Sequence, residues 1–250
     1  MITDPWFYAA AVPAMLILGL AKGGFGVIGI LTVPILSIAI SPVQAAGITL
    51  PILILSDLVA VYSYWREWDK GVLSVMLPGA LLGIGIGWLT AAWVSESQIR
   101  LIVGVVAVVF ALNYWFRHRT STEAAKPNVA KGVFWGAVTG FVSFVSHAGG
   151  PPYQVYAAPL KLQPRLFAGT AVIFFATVNT IKLLPYFFLG QFDRENLITS
   201  AILLPISIPA TLFGVWLVRR INLRTYYQAI YVLVFIVGLF LIGQSIYGML

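Results

Sequence analysis

Apolar runs of roughly membrane-crossing length fill the sequence from end to end, and only short polar breaks separate them. Ten segments can be drawn, at roughly 5–21, 24–40, 43–65, 71–93, 98–116, 129–146, 150–160, 166–189, 196–218 and 225–247. A membrane-crossing helix needs about 20 predominantly apolar residues, and most of these runs qualify. Segment 150–160 is too short and 24–40 is marginal, so both are candidates for half-helices or re-entrant pieces, and full crossing is left open for each. The first segment opens at Asp4, has no basic stretch before it and runs into no cleavage site and polar mature domain. It is expected to be a retained helix rather than a signal peptide. The pattern predicts an all-α integral membrane protein, a bundle of about ten hydrophobic segments.

Composition supports that class. Of the 250 residues, 60% are hydrophobic and 9% charged, and mean hydropathy is +0.94. A soluble domain carries about 25% charged residues, because it needs a solvated skin. Here lipid must cover most of the outside. The 15 Lys+Arg against 8 Asp+Glu give a formal +7, but no basic stripe interleaved with exposed aromatics suggests nucleic acid. The excess is what cytoplasmic loops beside an anionic leaflet require. The absence of cysteine excludes disulfides, thiolate zinc sites, iron–sulfur ligation and cysteine nucleophiles. No metal site and no cofactor are expected.

If all ten segments change sides, one set of loops holds Lys22, Arg66, Lys70, Arg117, Arg119, Lys126, Lys131, Lys161, Arg165, Arg219, Arg220 and Arg224, and the other only Arg100 and Arg194. Twelve against two puts the loop 117–131 in the cytoplasm and both termini outside. That loop, the only sizeable polar stretch, divides the chain into a first membrane repeat, 1–116, a cytoplasmic linker, 117–131, and a second repeat, 132–250. The repeats share a faint pattern. Gly23-Gly24 matches Gly149-Gly150, Ala46-Gly47 matches Ala168-Gly169, Asp57 matches Asn179, and Gly87-Trp88-Leu89 loosely matches Gly214-Val215-Trp216-Leu217. Five segments per repeat is an odd number, so the repeats are inverted. In transporters that arrangement places the binding site near the midplane, where the repeats meet.

Two stretches concentrate helix-breaking and polar residues: Gly19 to Gly26, with Lys22, Gly23 and Gly24, and Ser143 to Gln154, with His147, Gly149, Gly150, Pro151 and Pro152. Broken or half-helices are therefore expected near 21–26 and 147–152. A bilayer tolerates a broken helix only where protein or a wet cavity satisfies the freed backbone, and paired interruptions point to a transport site. Lys22 and His147 beside glycine-rich backbone suit an oxyanion, which needs N–H donors and some positive charge. Candidate substrate contacts are Lys22, Gly23, Gly24, Gly26, His147, Gly149, Gly150, Gln154 and Thr170. The competing readings stay open: Lys22 as a snorkelling or positive-inside lysine, and His147 as a satisfied interior histidine or a proton carrier. Asp57 and Lys182 lie deep in corresponding segments, with Asn179 one turn before Lys182. An unpaired charge in lipid costs at least about 2.5–3.5 kcal/mol, so both should face protein or water, either as a coupling or gating group with Asn179 or as a structural salt bridge. Snorkelling is the alternative for Lys182. Thr49 and Gln44 are weaker candidates.

These same residues resemble the TauE/SafE family of bacterial membrane proteins, described as sulfite and organosulfonate exporters. The likeness runs over nearly the whole chain. It rests on Gly19 to Gly26, Val33-Pro34-Ile35-Leu36, Leu50-Pro51 and Ser56-Asp57, then on His147 to Pro152, Gly169-Thr170, Ile173-Phe174-Phe175, Asn179 and Lys182 to Tyr186. Lys22 stands where many members have a small residue. The resemblance implies a secondary transporter in the bacterial inner membrane, expected to export small sulfur-containing anions such as sulfite or sulfonates. Proton coupling and homo-oligomerisation are both compatible with it. A channel or a membrane assembly protein without transport is the alternative. An intramembrane enzyme is disfavoured, since no catalytic constellation such as His-Glu-x-x-His or Gly-x-Ser-x-Gly is present.

Overall fold

The computed structural model describes residues 2, 4–90, 93, 96–118, 124–188 and 193–247. The expected linker 117–131 therefore lies partly outside the described residues. Ten α-helices follow one another among the described residues: α1 (Pro5–Leu20), α2 (Thr32–Leu36), α3 (Pro42–Ser63), α4 (Lys70–Thr90), α5 (Glu96–Asn113), α6 (Val129–Ser146), α7 (Gly150–Ala157), α8 (Pro164–Phe188), α9 (Arg194–Arg220) and α10 (Leu223–Tyr247). Short polar residues start them. The side chains of Asp4, Ser41, Asp69, Asn128, Asp193 and Asn222 each accept from a backbone N–H of the first turn of the helix that follows, at 2.7–3.2 Å. Such caps satisfy donors that no helical carbonyl can reach.

Seven stretches are long and apolar enough to cross a membrane, with Pro5–Leu36 counted as one, and Val129–Val145 is a shorter apolar helix. Leu82, Leu89, Phe116, Phe187 and Phe188 are each more than half exposed. Large apolar side chains presented outward on this scale need lipid rather than water around them. The two segments expected to be short are short: α2 has 5 residues and α7 has 8.

The helices form two compact units, residues 1–68 with 168–220, and residues 69–167 with 221–250. Each unit draws helices from both sides of the 117–131 loop. In the first, α1 and α3 pack on α9. The chain reverses after α1, because Val33 and Leu36 join Phe7, Ala11, Ala14, Met15 and Leu18 in one buried cluster, which a straight continuation could not reach.

In the second unit, α4 packs on α6 and α5 on α10. The α4–α6 contact is backbone to backbone. A Cβ added at Gly83 would lie 1.9 Å from the Ala137 carbonyl oxygen, and one at Gly140 would lie 2.1 Å from that of Ala80. Without a hydrophobic drive between helices in lipid, such close approach supplies the packing energy. Gly83→Val is expected to wedge the pair apart at a cost of about 1–3 kcal/mol, read as a lower melting temperature of the detergent-solubilised protein.

Candidate functional site

The first unit carries its chemistry at the place where the chain turns. The α1 helix continues through a π-helical turn, Ala21–Phe25, into a 3-10 turn, Gly26–Leu31, and the break falls at Gly24. Gly24 has φ +131°, a conformation open to glycine and strained for any residue with a Cβ. A Cβ there would also lie 2.7 Å from Val218 Cγ2 and 3.0 Å from both Ala168 Cβ and the Tyr64 hydroxyl. The neighbouring Gly23 faces Gly214 of α9, where a Cβ would meet the partner's Cα at 2.5 Å. The break frees the Gly23 carbonyl, and Tyr64, the residue that caps the end of α3, donates its hydroxyl to that oxygen at 2.6 Å. A protein hydroxyl thus satisfies the freed carbonyl, as a broken helix in a membrane requires.

The turn carries Lys22 inward. It is 9% exposed, and its Nζ donates to Asp57 Oδ1 of α3 at 2.6 Å. Lys22 is therefore not an exposed loop lysine, because the π-helical turn places its ammonium against a buried carboxylate. The other carboxylate oxygen accepts from Asn179 Nδ2 of α8 at 2.8 Å. Lys182, one turn further along α8 and 1% exposed, lies within electrostatic reach of both Lys22 and Asp57. Sequence alone offered Lys182 as the partner for Asp57. A direct contact comes also from Lys22, 35 residues before it. Beside Asp57, Ser56 shares a 2.8 Å hydrogen bond with Ser207 of α9. The cluster therefore sits among three helices and the turn, with two ammonium groups around one carboxylate.

The remaining candidates distribute as follows. Gly26 follows the break, and a Cβ there would meet nothing within 4 Å. Thr170 of α8 is fully buried in the first unit. Thr49 donates its hydroxyl to the Ala45 carbonyl one turn back, at 2.6 Å, so its proton is committed to its own helix. His147, Gly149, Gly150 and Gln154 belong to the second unit. His147 closes α6 in the left-handed conformation, φ 53°. At this second break the unusual backbone belongs to the histidine: Gly149 has φ −66° and Gly150 is already helical. Pro151 and Pro152 occupy the first turn of α7, where a missing N–H is tolerated. Their presence leaves that helix N-terminus fewer donors for an anion than glycine alone would. Gln154 is 2% exposed and its Oε1 is buried with no hydrogen-bond partner among the described residues.

Two elements of the site escaped the reading of the sequence. Tyr64 follows Asp57 by seven residues, two helical turns along one face, but it stands beside Trp65 and Trp68, which mark a membrane interface. Ser56 and Ser207 are 151 residues apart, and a lone serine in an apolar segment carries no signal of its partner.

Apolar helices with a lipid-facing exterior and a buried charge cluster at a helix break define a multi-pass membrane protein. The chain belongs to the family described as "Sulfite exporter TauE/SafE", whose model matches residues 11–241. This is a family of membrane exporters, and the chain is a transporter rather than an enzyme. It is similar to "Probable sulfite/organosulfonate exporter TauE" of Cupriavidus necator, with 23% identity over 200 residues, covering 76% of this chain and 75% of the relative. No solved structure gives a significant match.

Proposed function

We propose that the chain is a secondary carrier that exports small sulfur-containing anions such as sulfite or organosulfonates across the bacterial inner membrane. The observation that carries this reading is the buried cluster of Lys22, Asp57, Asn179 and Lys182 beside the Gly24 break. Two cations and one carboxylate, held out of lipid by protein, make an electropositive spot for an oxyanion. The family and the relative from Cupriavidus necator supply the substrate class.

Alternating access between two inverted repeats, 1–116 and 132–250, joined by a cytoplasmic linker, 117–131, fits the packing. Order in the chain makes α1 the counterpart of α6, and α4 that of α9. The close pair α1–α9, through Gly19 against Ser207 and Ala210, then repeats as α4–α6, through Gly83 and Gly140. Within the first unit the cluster joins the repeats, since Lys22 and Asp57 come from the first and Asn179 and Lys182 from the second. We place the site near the midplane on this basis, with the termini outside. Thr170, buried in the same unit as the cluster, completes the proposed substrate contacts there, with Asp57, Asn179 and Lys182 as the coupling group, while His147, Gly149, Gly150 and Gln154 remain candidate contacts within the second unit. The test is efflux of labelled sulfite from proteoliposomes. Lys22→Gln is expected to reduce it at least about tenfold, the value of one lost charged contact of about 1.5–3 kcal/mol. Efflux at the wild-type rate from a folded Lys22→Gln protein would remove the cluster from the transport path.

A further inference from the structure

The charge count of the cluster bears on which anions it takes, provided the anion site proposed above is the right one. Lys22 Nζ lies 2.6 Å from Asp57 Oδ1, Asn179 Nδ2 lies 2.8 Å from Oδ2, and Lys182 is 1% exposed one turn along α8 from Asn179. Both carboxylate oxygens are therefore taken, and two ammonium groups stand around one carboxylate. The surplus is one positive charge. Among buried groups, net charge after binding is what the surroundings penalise, since a low-dielectric interior screens it far less than bulk water does.

We infer that Asp57 acts as a built-in counter-anion that the substrate displaces from Lys22, so that the site accepts a monoanion unaided and a dianion only together with one proton. A sulfonate carries one negative charge. Its oxygens replace Asp57 Oδ1 on Lys22, the carboxylate stays with Asn179 and Lys182, and the site becomes neutral. A dianion in the same place leaves one negative charge too many. The balance is restored when one proton from the medium adds to an Asp57 oxygen: dianion, proton and site, with two ammonium groups and one carboxylate, give a neutral complex holding a carboxylic acid. No bond other than O–H forms. The charged groups around Asp57 are Lys22 from the turn after α1 and Lys182 from α8. From α9 come the hydroxyls of Ser207, bonded to Ser56, and Thr211, bonded to the Ser207 carbonyl.

The experiment measures dissociation constants calorimetrically on the full-length protein in detergent across the mildly acidic pH range, where both lysines carry their protons. The probes are ethanesulfonate, a monoanion throughout that range, and thiosulfate, a dianion throughout it. For wild type, ethanesulfonate binding is expected to be flat with pH. Thiosulfate binding should weaken about tenfold for each unit of rising pH, the slope for uptake of one proton. Lys182→Gln removes one cation and leaves the Lys22–Asp57 pair intact, so the protein keeps its fold and its surplus falls to zero. Ethanesulfonate binding to this variant should acquire the same tenfold slope, because the monoanion then needs the proton. Equal pH dependence of the two probes in wild type, or flat ethanesulfonate binding to Lys182→Gln, would overturn the charge rule and leave the carrier reading standing. Absence of binding of either probe to wild type would overturn both.

Discussion

Asp57→Ala is expected to cost the folded state about 3–5 kcal/mol, the range for removing one partner from a buried ion pair, and to abolish transport. The cause is the charge left behind. Lys22 is 9% exposed and Lys182 1% exposed, so without the carboxylate two ammonium groups face each other with no anion between them. Lys22→Met should cost much less, because Asp57 keeps Lys182 and Asn179. The double variant Asp57→Ala with Lys22→Met should therefore be more stable than the separate costs predict, by about 0.5–3 kcal/mol, the coupling usual for contacting residues. Thermal melting of the four proteins in detergent gives this value. Strict additivity would mean that the 2.6 Å contact between Lys22 and Asp57 has no energetic content.

The second large effect belongs to Gly24→Ala. At φ +131° an L side chain pays a backbone penalty of order 1–2 kcal/mol, and the added methyl would sit 2.7 Å from Val218 Cγ2, an overpacking of about 1–3 kcal/mol. Together these predict a loss of about 2–5 kcal/mol. The turn that carries Lys22 to Asp57 depends on that conformation, so transport should fall with stability rather than after it. Gly26→Ala is the matched control, since a Cβ there meets nothing within 4 Å. Its melting temperature should stay close to wild type. Equal destabilisation by the two substitutions would mean that the break does not need its glycine.

Much of the fold was legible because a bilayer sets the length of apolar runs. Segment 43–65 is α3, Pro42–Ser63, and segment 225–247 is α10, Leu223–Tyr247. The helix interruption near 21–26 was legible too, since glycine is concentrated there. What hydropathy could not supply was the path after the interruption. Lys22 among glycines at the end of an apolar run looks like a headgroup lysine, and only the fold-back of α2 onto α1 shows that it turns inward. The partner of Asp57 was hidden for the same reason: the contact joins residues that no periodicity relates. His147 shows the opposite limit. The second break was expected near 147–152 from its glycines and prolines, and within it the left-handed residue is His147, with the prolines that follow starting α7.

The proposed carrier requires that water and the substrate anion reach the turn at Gly24 beside Lys22. The chain has no cysteine, so Gly26→Cys, two residues past the break, offers a single thiol to a water-soluble maleimide. Sulfite attacks such reagents, so ethanesulfonate serves as the protecting anion. The rate of modification is expected to be measurable without ligand and to fall as ethanesulfonate saturates the protein, with half-protection at its dissociation constant. A thiol that never reacts, or one that reacts at the same rate with and without bound ethanesulfonate, would contradict the claim.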